Sequence, residues 1–140
     1  MLRIQAVSRK FESFYKVRDK ALQILEEALD VERGIALNMP LKENAFLIMV
    51  SIECMIPIIL TGPPGTSKTL STRLIYKNMK GMNSSSQYFK KKPKLILKSY
   101  QCSELSTSEG ILNTFRRAEE MQQKYKNHRV VVILDEIGLA

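Results

Sequence analysis

Apolar residues near the start of the chain recur at three- and four-residue steps. In "KFESFYKVRDKALQILEEALDVERG" they place Phe11, Phe14, Leu22, Leu25 and Leu29, with Arg18 among them, along one helical stripe. Gly34 follows as a C-cap, so residues 1–34 predict an amphipathic helix that docks on the rest. A second helix over 41–55, opened by Pro40, is apolar nearly all round through Phe46, Leu47, Ile48, Met49 and Val50. Pro57 stops it, and "IPIIL" has the short, wholly apolar character of a strand covered on both faces. A third helix is expected over 68–79. The polar "KGMNSSSQYFKKKPK" then predicts a surface loop with freedom to move. "LILKSYQC" reads as a second strand. "STSE" reads as a capping box, Ser106 capping and Glu109 reaching back, that opens a helix to about 126. "RVVVILDE" closes the pattern as a third strand ending in two acids.

Strands alternating with helices predict an α/β fold, a parallel sheet sandwiched by helices and preceded by N-terminal helices. Composition agrees with a globular chain: 140 residues, 44% hydrophobic and 26% charged. The net charge of +8 would suit an anionic partner, but much of the excess lies in "KKKPKLILK", which reads as solvated surface. Lys90, Lys91, Lys92, Lys94 and Lys98 have only Tyr88 and Phe89 beside them, too few for base stacking, so no nucleic-acid partner is expected. Cys54 and Cys102, inside apolar segments, read as buried reduced thiols. A lone histidine, His128, leaves no zinc cluster within the chain and reads as a surface residue. "MLRIQAVSRKF" is no secretory leader, and the longest apolar run, broken by Glu53 and Pro57, is too short for a transmembrane segment.

The chemistry is concentrated in "GPPGTSKT". A phosphate-cradling loop needs a sharp turn with converging amides, a helix starting at once, a lysine for the outer phosphates and a hydroxyl for Mg²⁺. Gly62 leaves the strand, Pro63 and Pro64 stiffen the turn and Gly65 permits it. The amides of Gly65, Thr66, Ser67 and Lys68 would surround a phosphate, and the nucleotide-binding segment extends to Leu70. Lys68 would bridge the β- and γ-phosphates and Thr69 would ligate Mg²⁺. Ser67 departs from the G-x-x-x-x-G-K-[ST] pattern. The expectation is that residue 67 already has negative φ as the helix begins, so that serine is tolerated. Some 70 residues downstream, "VVVILDE" supplies the accompanying acidic strand. Asp135 would hold Mg²⁺ through water, and Glu136 would polarise the attacking water.

With "LKENAFLIMVSIECMIPIILTG", "GTSKTLS", "SYQCSELSTSEGILNTFR" and "VVVILDEIGLA", the chain resembles an AAA+ ATPase module of the mysterin family, giant ring-finger ubiquitin ligases with six AAA+ modules in one chain. The resemblance runs over 41–140 and is to the fourth module, where a serine before the lysine looks like a family trait. It implies a three-layer α/β/α P-loop NTPase with ATP and Mg²⁺ as cofactors. The catalytic residues it implies are Lys68 and Glu136, and the metal residues Thr69 and Asp135. It further implies neighbouring AAA+ modules, a ubiquitin-conjugating enzyme and ubiquitylation substrates as partners. The implied location is cytoplasmic, with lipid-droplet association. It implies, too, that the central strand, sensor residues and helical lid follow beyond residue 140. The stretch 41–140 is thus expected to be a partial domain, and residues 1–140 are expected neither to fold stably nor to turn over ATP alone. Two alternatives remain open at this stage: a nucleotide-binding module that stabilises a ring without hydrolysis, and a nucleic-acid-dependent ATPase.

Overall fold

The computed structural model describes residues 2–63 and 65–139, with side chains from Tyr15 onward. Helix α1 (Leu2–Ala28) is followed by α2 (Met39–Cys54), α3 (Lys68–Asn78), the short α4 (Gln87–Lys90), strand β1 (Lys94–Gln101), α5 (Ser108–Lys124) and strand β2 (His128–Asp135). Single 3-10 turns lie at Gly81–Asn83 and Ile137–Leu139. The two strands pair in parallel with Lys94 opposite His128 and Gln101 opposite Asp135. An α5 crossover joins them, as parallel pairing demands.

The stripe on α1 behaves as its spacing requires. Leu22, Leu25 and Leu29 are buried, while Phe11 and Phe14 lie outside the described side chains. The helix ends at Ala28, six residues before Gly34, which instead sits in a turn with φ +89°. Gly34 is therefore not its C-cap. The next helix starts as Pro40 predicts: the Asn38 side chain accepts from the Leu41 amide at 3.0 Å. Leu41, Ala45, Met49 and Ile52 face the core, whereas Leu47 and Val50 are exposed, so the helix is buried on one side only. Cys54, at its end, is exposed; only Cys102 is a buried thiol.

One apolar core joins these helices to the sheet. Leu25, Leu41, Ala45, Ile75, Met79 and Phe89 pack with Leu95, and Leu97 and Val131 close on the same cluster. Side chains alternate along a strand, so Leu95 and Leu97 share one face. Tyr100, of opposite parity, meets Gly110 of α5, where an added Cβ would lie 2.7 Å from the Tyr100 hydroxyl. On β2 the Gln122 carboxamide accepts from the Val130 amide at 2.9 Å and donates to the His128 carbonyl at 2.9 Å, standing in for a neighbouring peptide.

Three expectations fail on inspection. Residues 56–60 carry no strand. A strand exists only through its ladder, and no described strand lies beside this segment; Ile59 is 81% exposed. Residues 80–94 are not a free loop: Phe89 and Ser84 are buried, and Ser84 Oγ donates to the Asn78 carbonyl at 2.8 Å. The amphipathic signal there is one adjacent aromatic pair, Tyr88 and Phe89, too little to show a helix in advance. Last, α5 is capped by Thr107, which accepts from the Gly110 amide at 3.1 Å. Ser106 turns back to accept from the Ser103 amide at 2.8 Å.

Asn78, 2% exposed, binds the Asp30 amide at 2.7 Å, the Asp30 carbonyl at 3.0 Å and the Leu74 carbonyl at 2.9 Å. Asn78→Ala is expected to cost about 2 kcal/mol by leaving the Asp30 groups unmatched, read as a lowered urea midpoint at unchanged slope. Nearby, the hydrogen bond from Lys77, reinforced by the Lys77 and Arg73 charges, holds the Glu32 carboxyl below its usual range. That contribution is complete above the unfolded carboxylate value and is lost as pH falls through the lower folded one. The melting temperature is therefore expected to drop less between pH 6 and 3 in Glu32→Gln than in the native chain.

Candidate functional site

The loop after α2 closes on its own lysine. Lys68 Nζ donates to the Gly62 carbonyl at 2.6 Å, the Pro63 carbonyl at 2.9 Å and Thr66 Oγ1 at 3.1 Å. Thr66 Oγ1 in turn donates to the Pro63 carbonyl at 2.8 Å. From outside, Asn44 Nδ2 of α2 donates to the Thr66 carbonyl at 3.0 Å and fixes the loop against the core. Pro64 lies outside the described residues. Gly65, at φ +80°, makes a turn that a side chain would resist. The first residues of α3 are Lys68, Thr69 and Leu70, so free amides and the positive helix end converge where the loop closes. Thr69 is exposed there.

Ser67 contradicts the sequence expectation. Its φ is +61° with ψ 17°, left-handed, at the N-cap of α3, and its side chain makes no capping bond. Glycine is the usual residue at this point because a Cβ crowds the following carbonyl, at about 1–2 kcal/mol. The serine is held there because its own carbonyl is engaged: it accepts from the Ser71 amide at 2.8 Å and from the Ser71 hydroxyl, and Ser71 is fully buried.

The acids stand at the carboxyl end of β2. Asp135 Oδ1 accepts from the Glu136 amide at 3.1 Å, and the Asp135 carbonyl accepts from the Cys102 amide at 2.8 Å. Glu136 leaves the strand with φ +54°, left-handed like Ser67 and Met55. Its Oε2 accepts from Gln101 Nε2 at 2.8 Å. Gln101 and Asn44 are the polar partners that motif reading missed. Gln101 was detectable as the residue in register with Asp135 once two parallel strands end together. Asn44 was detectable as an amide in an otherwise apolar stretch. Among the described residues no hydrogen bond or ion pair joins the loop to Asp135 or Glu136, and no group of three or more His, Cys, Asp or Glu is arranged to hold a metal.

This geometry can take an anion. An ammonium caught by three neutral oxygens exchanges them for a charged phosphate with gain in bond strength. The family model described as RNF213 AAA domain matches residues 34–140. The chain belongs to the RNF213 AAA domain family. It is 38% identical over 123 residues, 86% of its length, to the E3 ubiquitin-protein ligase RNF213 of Homo sapiens. It is 48% identical over 115 residues, 80% of its length, to E3 ubiquitin-protein ligase rnf213-beta of Danio rerio. Against the Mus musculus RNF213 it is 39% identical over 112 residues, 79% of its length. The chain spans about 2% of the length of each of these relatives. The mysterin resemblance read from the loop and acidic strand is thus established at the level of the family, as an α/β module of AAA type. Among the described residues no helix is long and apolar enough to cross a membrane.

If Ser67 is strained, glycine relieves it. Ser67→Gly is expected to raise unfolding stability by about 0.5–1 kcal/mol, the left-handed cost less the entropy that glycine adds to the unfolded chain. Urea denaturation of both forms measures it, and a decrease would place the strain elsewhere.

Proposed function

We propose that this RNF213 AAA module binds ATP with Mg²⁺ and hydrolyses it, on a three-layer α/β/α P-loop fold. The observation that supports this reading is Lys68: its ammonium lies inside the loop, at the start of a helix, among carbonyls rather than carboxylates. Among the described residues no carboxylate forms an ion pair with it. In this reading the amides from Gly65 to Lys68 orient the phosphates and Lys68 turns out of the loop to meet the outer ones. Thr69 and Asp135 hold the Mg²⁺, which supplies charge neutralisation on the phosphate oxygens when bound. Glu136 positions the water and receives its proton. Gln101 holds the Glu136 carboxylate at the strand end until a substrate water competes for it.

A second reading is favoured by that last contact. With one carboxylate oxygen engaged by Gln101, Glu136 would be withheld from the reaction, and the bound nucleotide would serve only to stabilise neighbouring AAA+ modules. In either reading the module works within a larger cytoplasmic E3 ubiquitin ligase, whose ubiquitin-conjugating enzyme and substrates act elsewhere in the parent protein.

Two substitutions in the intact parent protein test this. Lys68→Ala is expected to weaken binding of a fluorescent ATP analogue at this module by at least about tenfold, the worth of one charge-assisted bond. Glu136→Gln is expected to keep binding while turnover at this module falls on the order of a hundredfold or more. Unchanged turnover would favour the structural reading; unchanged binding in Lys68→Ala would remove both.

A further inference from the structure

A groove of about 380 Å³ opens at the amino-terminal ends of the strands. Seven residue steps of extended chain, about 23 Å, separate that end from Asp135, and ten helical steps of α3, about 15 Å, separate Lys68 from Asn78 beside the groove, so it is distinct from the acid pair and the loop. Lys80, Lys90, Lys92 and Lys94 line it together with Asn83 and His128, and no carboxylate does. Lys92 is committed to Glu53 at 2.8 Å and lies over the Tyr88 ring. Lys80, Lys90 and Lys94 have no ion-pair partner among the described residues.

Two of these lysines are forced together by the backbone. An isolated antiparallel bridge sets Lys80 opposite Lys94, with the Leu95 amide donating to the Met79 carbonyl at 2.9 Å. Gly81, at φ +61°, allows the approach; an added Cβ would lie 3.3 Å from the Lys94 nitrogen. Like charges placed directly opposite are destabilising unless something between them neutralises both. On the same wall, His128 Nδ1 is buried with no hydrogen-bond partner, although the His128 backbone is fully bonded. Being buried, that nitrogen faces away from the open groove, so the ring marks the wall without serving as a ligand. A second cavity, lined by Lys124 and Lys126, meets the first at Asn127 and His128 and extends the positive surface.

We propose that this groove binds a small, multiply charged phosphate anion, gripped by Lys80, Lys90 and Lys94, with the His128 ring in the wall beside it. The charges supply affinity, and the paired backbones at Lys80 and Lys94 fix the spacing between two anionic oxygens. The site stands independently of the nucleotide loop.

His128 is the sole histidine of the chain, so its ring signals come from this corner of the fold without overlap. The experiment is a titration of the full 140-residue chain with inorganic pyrophosphate at constant ionic strength, followed by nitrogen-15 NMR of the imidazole. A saturable shift is expected. It is expected to weaken at least about tenfold in the double variant Lys80→Gln, Lys94→Gln, whose amide spectrum checks its fold, and to persist in Lys68→Ala. Absence of a saturable shift would overturn the site, as would a shift that the lysine variant leaves unaltered. Sulfate acting as strongly as pyrophosphate would reduce the effect to general screening and overturn it equally. A single-stranded oligonucleotide binding more tightly than pyrophosphate would assign the groove to a nucleic-acid backbone instead.

Discussion

One carboxamide ties together parts of the chain that are far apart in sequence. Asn78 closes the last turn of α3 onto the segment after α1 by accepting from and donating to Asp30, and its carbonyl takes the Ser84 hydroxyl. It is buried within the same layer as Leu74, Ile75 and Met79. With α1 and α3 fixed in this way, α2 fills the remaining apolar space through Leu41, Ala45, Met49 and Ile52. The start of α3, and with it Lys68, is then located from its far end. A polar contact can hold that position because both Asp30 backbone groups and both ends of the amide are satisfied.

The sequence carried the parts of this arrangement that depend on periodicity. Apolar spacing showed α1, a nearly all-apolar stretch showed α2, and short apolar runs showed β1 and β2, because each is stabilised by residues that lie close in the chain; α5 was read from a cap, though from the wrong residue of it. Where the deciding neighbour is distant, reading failed. Residues 56–60 are as apolar as a strand should be, yet pairing is a property of two segments and cannot be read from one. The serines around 84–86 look like loop, but Ser84 is buried by α3, 6 residues back through Asn78.

Site residues divide along the same line. Residue type and local spacing singled out Gly65, Lys68, Asp135 and Glu136, and the structure puts the first two in the loop before α3 and at its start and the last two at the carboxyl end of β2. The conformation of Ser67 was not legible in that way. Its left-handed backbone follows from what its carbonyl must do for Ser71, a constraint from the buried side of α3 that the motif does not contain. Gln101 and Asn44 were likewise invisible to motif matching, since each acts by holding another group in place across the fold. The family match, over residues 34–140, corroborates the module without supplying those contacts.

The ammonium of Lys68 serves its own loop as a placeholder. Gly62, Pro63 and Thr66 offer it three oxygens, so the turn keeps its shape with nothing else inside. A visiting anion must outbid that internal solvation before it gains anything. On the nucleotide-binding proposal, dilute, singly charged ions such as chloride would fall below that threshold and a chain of phosphates would clear it. Selectivity for polyanions can therefore reside in the resting state of the loop, before any base or sugar is recognised.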